Sequence, residues 1–441
     1  MSTKRDRTGC KQSQWLPLKR WLSIAMLLLA LQGASLLAGI APASAALLLD
    51  TQETTANQEE QLVKEAWRIV NRAYLDETFN HQNWWLVRQQ LLKHPLRDRE
   101  ETYDAIQTML TSLEEPFTRL LRPEQYRTLK VSTSGELTGI GLQIALDEET
   151  GFVQAIAPIE GSPAEKAGIR PRDRIVEIDG LTTTEMTLDE SAAAMRGPAG
   201  SKVTLLLERA ASRERETVNL VRDRISLNPV VASLKTVSTP TGNESIGYIR
   251  LSQFNGNATT EVARAIKQFK RQGADAYILD LRSNPGGLLQ AGIEIARLWL
   301  DRGTIVYTVN RQGNLGSFDA NGQALTDDPL VVLVNQGTAS ASEILAGALQ
   351  DNGRAQVVGE TTFGKGLIQS LFDLSDGAGV AVTVAKYETP DHRDIHKLGI
   401  TPDRVVELDA IARDEIATPA DPQYQAAVDL LASSRAVAGA S

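Results

Sequence analysis

Apolar residues along this chain change their spacing twice, dividing it into three textures. Between residues 57 and 130, Trp67, Val70, Tyr74, Trp84, Trp85, Tyr103, Ile106 and Leu110 fall at helical intervals, with breaks at His94-Pro95 and Glu115-Pro116. A small helical domain with these side chains as its core is expected. From residue 135 to about 227 the runs shorten and turn residues multiply, predicting strands at 142–146, 152–156, 174–178 and 203–208 and helices at 162–168 and 187–195. Residues 228–409 then alternate strands (246–251, 276–281, 304–309, 330–334, 356–359, 380–387) with helices (258–272, 289–300, 343–350). Such alternation predicts an α/β domain. The last 30 or so residues, rich in Ala, Asp and Ser, read as a helix and a loose tail.

The N-terminus has a different pattern. Six Lys and Arg residues precede an apolar stretch at 21–40, and Ala43-Ser44-Ala45 supplies a small-residue cleavage signal. A secretory signal peptide over residues 1–45 is expected, with an uncleaved membrane anchor as the alternative. Cleavage would remove Cys10, the only cysteine, and with it any thiol nucleophile or disulfide. It would also remove six of 46 basic and one of 55 acidic residues, taking the net charge from −9 to −14. So acidic a body argues against nucleic acid as partner.

Candidate chemistry concentrates in two segments of the α/β region. The run Asn335 to Ile344 contains Ser340 between a strand-like block and a helix, and Lys365 follows 25 positions later between two glycines. A serine at a strand-to-helix junction suits nucleophilic attack, because the first helical N–H groups lack internal partners and can donate to an oxyanion. A lysine acts as base only when neutral, so its ammonium form must be destabilised by about 3–4 kcal/mol relative to water. The alternative is that Thr338, Ser340 and Ser342 merely cap the helix and Lys365 is a solvated loop residue. Histidine supply bears on the choice: with only His81, His94, His392 and His396, a Ser/His/Asp triad has few bases to draw on. His392 and His396 have helical metal spacing, but Pro390 and the lack of a HExxH pattern favour a loop. The turn Arg282 to Gly287 ends a buried strand, and its glycines admit close backbone approach, so Gly286 is a candidate oxyanion donor beside the Ala341 N–H.

The middle region carries Gly139-Ile140-Gly141-Leu142 entering a strand, then Gly161-Ser-Pro-Ala-Glu-Lys-Ala-Gly-Ile169, Asp173, Asp179 and Gly180. This set resembles a PDZ domain, in which a peptide C-terminus adds as a strand and its carboxylate is held by loop amides, here those of Ile140, Gly141 and Leu142. With the PDZ-like module ahead of Gly337 to Ile344 and Gly359 to Gln369, the chain resembles the C-terminal processing peptidases, or tail-specific proteases, over nearly all its mature length. Segments such as Ala66 to Tyr74, Pro116-Phe117-Thr118-Arg119 and Tyr387-Glu388-Thr389-Pro390 look like the branch of oxygenic photosynthetic cells, which trims the precursor of the photosystem II reaction-centre core protein.

That resemblance implies an N-terminal helical domain at 46–134, a PDZ domain at 135–227, a crotonase-like α/β catalytic domain at 228–410 and a C-terminal helix and tail at 411–441. It also implies Ser340 as nucleophile, Lys365 as general base, Gln369 as the lysine's positioning partner, and Gly286 and Ala341 as oxyanion hole. Arg196 is similar to a PDZ arginine that couples peptide binding to the catalytic groups, and Pro329 stands where some relatives carry an aspartate. Neither metal nor cofactor is implied. The expected partners are C-terminal tails of precursor proteins, with peripheral membrane association also in view, and the expected compartment is a thylakoid lumen or periplasm. A general tail-specific quality-control protease, or a non-catalytic PDZ scaffold, are the alternatives.

Overall fold

The computed structural model describes residues 43–93, 95–239, 242–313, 315–408, 411–412 and 414–438. The apolar stretch at 21–40, Cys10 and His94 lie outside the described residues. The described residues from 55 onward form one compact unit. Among the described residues, no helix is long and apolar enough to cross a membrane.

The helical texture becomes α1 (Ala43–Ala73), α2 (Trp84–Leu91) and α3 (Arg99–Thr111). Asn83 and Asp98 start the latter two by accepting the Leu86 and Glu101 amides through their side chains. Trp67, Val70, Tyr74, Trp84, Tyr103, Ile106 and Leu110 share a core, which is completed by Leu374, Ala378, Val380 and Val382 from a distant hairpin. The helices therefore cover a sheet of the α/β region and do not close on themselves. Trp85 departs from expectation and is 51% exposed. Adjacent helical residues point about 100° apart, and Trp84 takes the inward position, its carbonyl accepting from Trp67 Nε1 at 2.8 Å and its own Nε1 donating to Trp67 O at 3.4 Å.

A short strand, β1 (Arg119–Leu121), and α4 (Pro123–Ser134) lead to β2 (Glu136–Gly139). The β-rich texture follows as β3 (Leu142–Leu146), β4 (Val153–Pro158), α5 (Pro163–Lys166), β5 (Arg174–Ile178), β6 (Leu181–Thr182), α6 (Leu188–Met195), β7 (Lys202–Glu208), β8 (Arg215–Val221) and β9 (Asp223–Ser226). Strands β3-β4-β5-β7-β8 form an antiparallel sheet, while β2 pairs with β9. β3 is an edge strand with α6 packed beside it, leaving one row of backbone groups open to an added strand. Thr187 and Glu190 form a reciprocal cap that fixes the start of α6.

The third texture gives β10 (Val230–Thr239), β11 (Gly242–Leu251), α7 (Ala258–Arg271), β12 (Ala276–Asp280), α8 (Leu289–Arg297), β13 (Thr304–Asn310), β14 (Leu315–Asp319), β15 (Leu330–Val334), α9 (Ala341–Asp351), β16 (Gln356–Gly359), β17 (Leu367–Asp373), β18 (Gly379–Glu388), β19 (Arg404–Val405) and α10 (Pro422–Ala438). The main sheet runs β10-β11-β12-β15-β16-β19, parallel except for β10 against β11. Helices α7, α8 and α9 cover one face and α10 the other. Strands β12 and β15 are buried along their whole length, which is why they read as unbroken apolar runs. A second sheet holds β1, β18, β13 and β14, with β17 also on β18.

Candidate active site

Ligand sites in open parallel sheets lie beyond the C-terminal strand ends. Here the turns after β12, β15 and β16 meet at that edge. Asn335 Oδ1 accepts the amides of Ser283 at 2.7 Å and Gly337 at 3.0 Å, and Thr338 Oγ1 donates to Leu281 O at 2.9 Å. Ala339 N donates to Asn284 O at 3.0 Å. The turn preceding Gly286 is thereby joined to the turn preceding Ser340.

Ser340 sits at the entry to α9 with φ 57° and ψ −118°, a strained backbone for a side chain with a Cβ. Its hydroxyl makes no cap hydrogen bond to α9. The Glu343 carboxylate serves instead, accepting Ser340 N at 2.8 Å. Ser340 lines a cavity of about 560 Å³. Ser342 is fully buried, its hydroxyl donating to Asn284 O at 2.9 Å. Tyr387 OH donates to Ser340 O at 3.1 Å, fixing the strained residue from behind.

Glu343 is the residue that sequence reasoning passed over, reading it only as a helix former. Its fully buried carboxylate also accepts from Thr362 Oγ1 at 2.6 Å, Gly364 N at 2.7 Å and Lys365 N at 2.9 Å. One anion thus ties the serine's backbone to the lysine's. The S/T-x-x-E spacing from Ser340 was visible, but it signals a helix start and says nothing of a loop 20 residues on. Gly364 is required at φ 86°, where a Cβ would lie 2.9 Å from Leu398 N.

Lys365 lines the same cavity, with Nζ over the Phe117 ring, 4.8 Å from its centroid. Burial is the main cause that pushes its ammonium below the ordinary lysine range; Arg119 adds to this, while Glu115 and Glu343 oppose it. Gln369, Gly286 and Ala341 line the cavity too. The Gln369 amide, however, donates to Thr383 Oγ1 at 3.3 Å, so the glutamine implied to hold the lysine is bonded elsewhere. Gly286 N donates to Asn284 Oδ1 at 2.9 Å, whereas Ala341 N, at the start of α9, has no acceptor among the described residues. A Cβ on Gly286 would lie 2.7 Å from Ala339 O, so only glycine fits against the serine turn.

Ile140, Gly141 and Leu142 lie at the entry to β3 and do not line that cavity. Gly141 has φ 71°, and a Cβ there would meet Ser162 Cβ at 2.4 Å. Arg196 ends α6, bridges Gly139 through its backbone and lines a second cavity of about 810 Å³. His392 stacks on Tyr307 and contacts Glu388 at 3.2 Å, in a loop without helical backbone.

A PDZ domain, a nucleophile-like serine in a strained elbow and a buried lysine in one cavity define the class of a serine peptidase with a peptide-binding module. Comparison with known proteins bears this out at family level. The model of peptidase family S41 matches residues 245–406, and that of the PDZ domain matches 156–209. A carboxyl-terminal-processing protease of Synechocystis sp. is 64% identical over 381 residues, spanning 86% of this chain and 88% of its own. Carboxyl-terminal-processing peptidase 2, chloroplastic, of Arabidopsis thaliana is 47% identical over 354 residues, 78% of this chain and 68% of its own. The solved structure of a photosystem II D1 C-terminal processing protease is 41% identical with a TM-score of 0.54, covering 83% of this chain and 99% of that one.

The chain belongs to peptidase family S41, among the carboxyl-terminal-processing proteases.

Proposed function

We propose that the protein removes C-terminal extensions from precursor proteins by acyl transfer through Ser340, and that the D1 precursor of photosystem II is its substrate. The observation that carries this reading is the shared cavity of Ser340 and Lys365, with the lysine held toward its neutral form by burial. Relatives named as processing proteases of cyanobacteria and chloroplasts, and the D1-processing neighbour, support the substrate.

In this mechanism the precursor tail adds to β3, its carboxylate held by the amides around Ile140, Gly141 and Leu142, with Arg196 relaying occupancy toward the cavity. Lys365 takes the Ser340 proton, and Ser340 Oγ attacks the scissile carbonyl. The Ala341 amide, with Gly286 once it turns from Asn284, stabilises the oxyanion. Protonated Lys365 passes its proton to the leaving amine, and water then hydrolyses the acyl-enzyme. Gln369 would steady the lysine after exchanging Thr383 for Nζ. Residues 135–227 act as the substrate-selecting module and 228–410 as the catalytic one, with export to a thylakoid lumen or periplasm directed by residues 1–45.

The test is incubation of the purified mature protein with the precursor tail peptide, with its C-terminus free or blocked as carboxamide. Cleavage should favour the free acid strongly. Equal rates would remove carboxylate recognition, and no cleavage of either would remove the substrate assignment.

A further inference from the structure

Two cavities share two side chains. Arg119 and Leu129 line both the cavity of Ser340 and Lys365 and the cavity that runs beneath α6 of the PDZ domain to Arg196. Arg119 opens β1, which pairs with β18 at Ala381, itself a wall of the first cavity. The strand thereby fixes the guanidinium's origin on a sheet edge rather than on a free loop.

Arg119 makes no ion pair among the described residues, and the carboxylates near it are engaged with other groups. Glu115 accepts from Phe117 N, Thr118 N, Thr118 Oγ1 and Thr383 Oγ1. Glu124 pairs with Arg127, and Glu190 caps α6. Asp189, on the far wall of the second cavity, and Arg196 complete the charged groups there. Facing Lys365 from α9 is Glu343, whose oxygens are taken by four donors; from β18 comes the Tyr387 hydroxyl, directed at Ser340 O. The Lys365 Nζ lies over the Phe117 ring, 4.8 Å from its centroid.

We propose that Arg119 is a positioning residue of the reaction, acting through Lys365: beside the burial of that amine, the guanidinium in the shared cavity helps hold it in the form able to take the Ser340 proton. A second cation in a shared cavity disfavours a protonated amine by Coulomb repulsion, and an arginine, never deprotonated at working pH, supplies this at every pH. The direction of the Arg119 effect on Lys365 agrees. This inference rests on Lys365 being the base.

The experiment is the pH profile of kcat/KM for the mature protein, Arg119→Gln, Arg119→Lys and Lys365→Ala, on a tail peptide with no side chain titrating between pH 5 and 10. Arg119→Gln should move the acid limb upward by about 0.5 pH unit, less at high salt, since Arg119 is exposed to solvent. Arg119→Lys should keep the limb at its original pH. Superimposed profiles of the parent and Arg119→Gln, or equal shifts in the Gln and Lys variants, would overturn the proposal. Retained activity in Lys365→Ala would instead overturn the reading of Lys365 as base. A thermal melt of Arg119→Gln, expected unchanged for an exposed side chain, separates charge from misfolding.

Discussion

Glu343 accepts the backbone amide of Ser340 at 2.8 Å, and with the same carboxylate holds the amide of Lys365 at 2.9 Å. The two side chains proposed to react are thus registered through their backbones by one buried carboxylate. Glu343→Gln replaces an acceptor oxygen by an NH₂ that must face at least one backbone N–H donor, so at least one backbone hydrogen bond gives way to a donor–donor contact. We expect kcat/KM to fall about 100-fold or more, as a displacement near 1 Å at a reacting group does. PDZ-peptide affinity, measured by fluorescence anisotropy, should be unchanged. Near-normal turnover would show that the Lys365 loop is held by other contacts.

The depressed Lys365 ammonium sets a pH dependence whose sign is definite. Its folded pKa lies below the unfolded one, so the unfolded chain binds the extra proton and stability rises with pH across that interval. Activity should rise over the same range as the neutral amine forms. Lys365→Met should abolish cleavage yet raise stability at neutral pH by up to about 1 kcal/mol, as it removes a charge held against burial. Denaturant melts at pH 7 and 10 check this, and the gain should shrink at the higher pH.

Asp421 carries a dependence of the same sign in the acid range, where stability again rises with pH. Arg282 is buried between Asp280 and Asp421, with Nη2 at 2.7 Å and 2.8 Å from their oxygens. Burial alone would raise the Asp421 carboxyl, but its Arg282 bonds and the Ala417 and Tyr424 amides hold it below the usual carboxylate range. Its contribution is present above the unfolded carboxyl pKa and lost as pH falls through the folded one. Asp421→Asn leaves Arg282 with one carboxylate and should cost about 3 kcal/mol at pH 7, with a smaller deficit in acid. Urea denaturation at the two pH values measures both.

Gly141→Ala tests the PDZ reading. Its φ of 71° and the 2.4 Å approach to Ser162 Cβ leave no room for a methyl group. The loop must shift, and with it the amides proposed to bind the tail carboxylate. We expect tail-peptide affinity to weaken about tenfold or more, a loss of roughly 1.4 kcal/mol, seen as a raised KM with kcat less affected.

Much of this architecture could be read from the chain because local pattern and packing agree. The β15 run at Leu330–Val334 and the β16 run at Gln356–Gly359 were expected at those bounds, since central parallel strands need apolar residues on both faces. The strands β10, β14, β17 and β19 were not anticipated: β10 and β17 mix polar and apolar residues on half-exposed surfaces, and β19 is two residues long. The helical region read as self-contained because spacing reports a buried face without naming what covers it, here Val380 and Val382 of β18. The site was legible as residue types on turns. Its wiring was not, because the bonds from Glu343 to Gly364, from Gln369 to Thr383 and from Gly286 to Asn284 depend on which turns the sheet brings together.

Cleavage of the free-acid tail peptide by Ser340→Ala, followed by mass spectrometry beside a tail-binding assay, tests the central claim most directly. The account predicts no cleavage above the uncatalysed background, with tail affinity and melting temperature as in the parent protein. Cleavage by Ser340→Ala at a substantial fraction of the parent rate would contradict it.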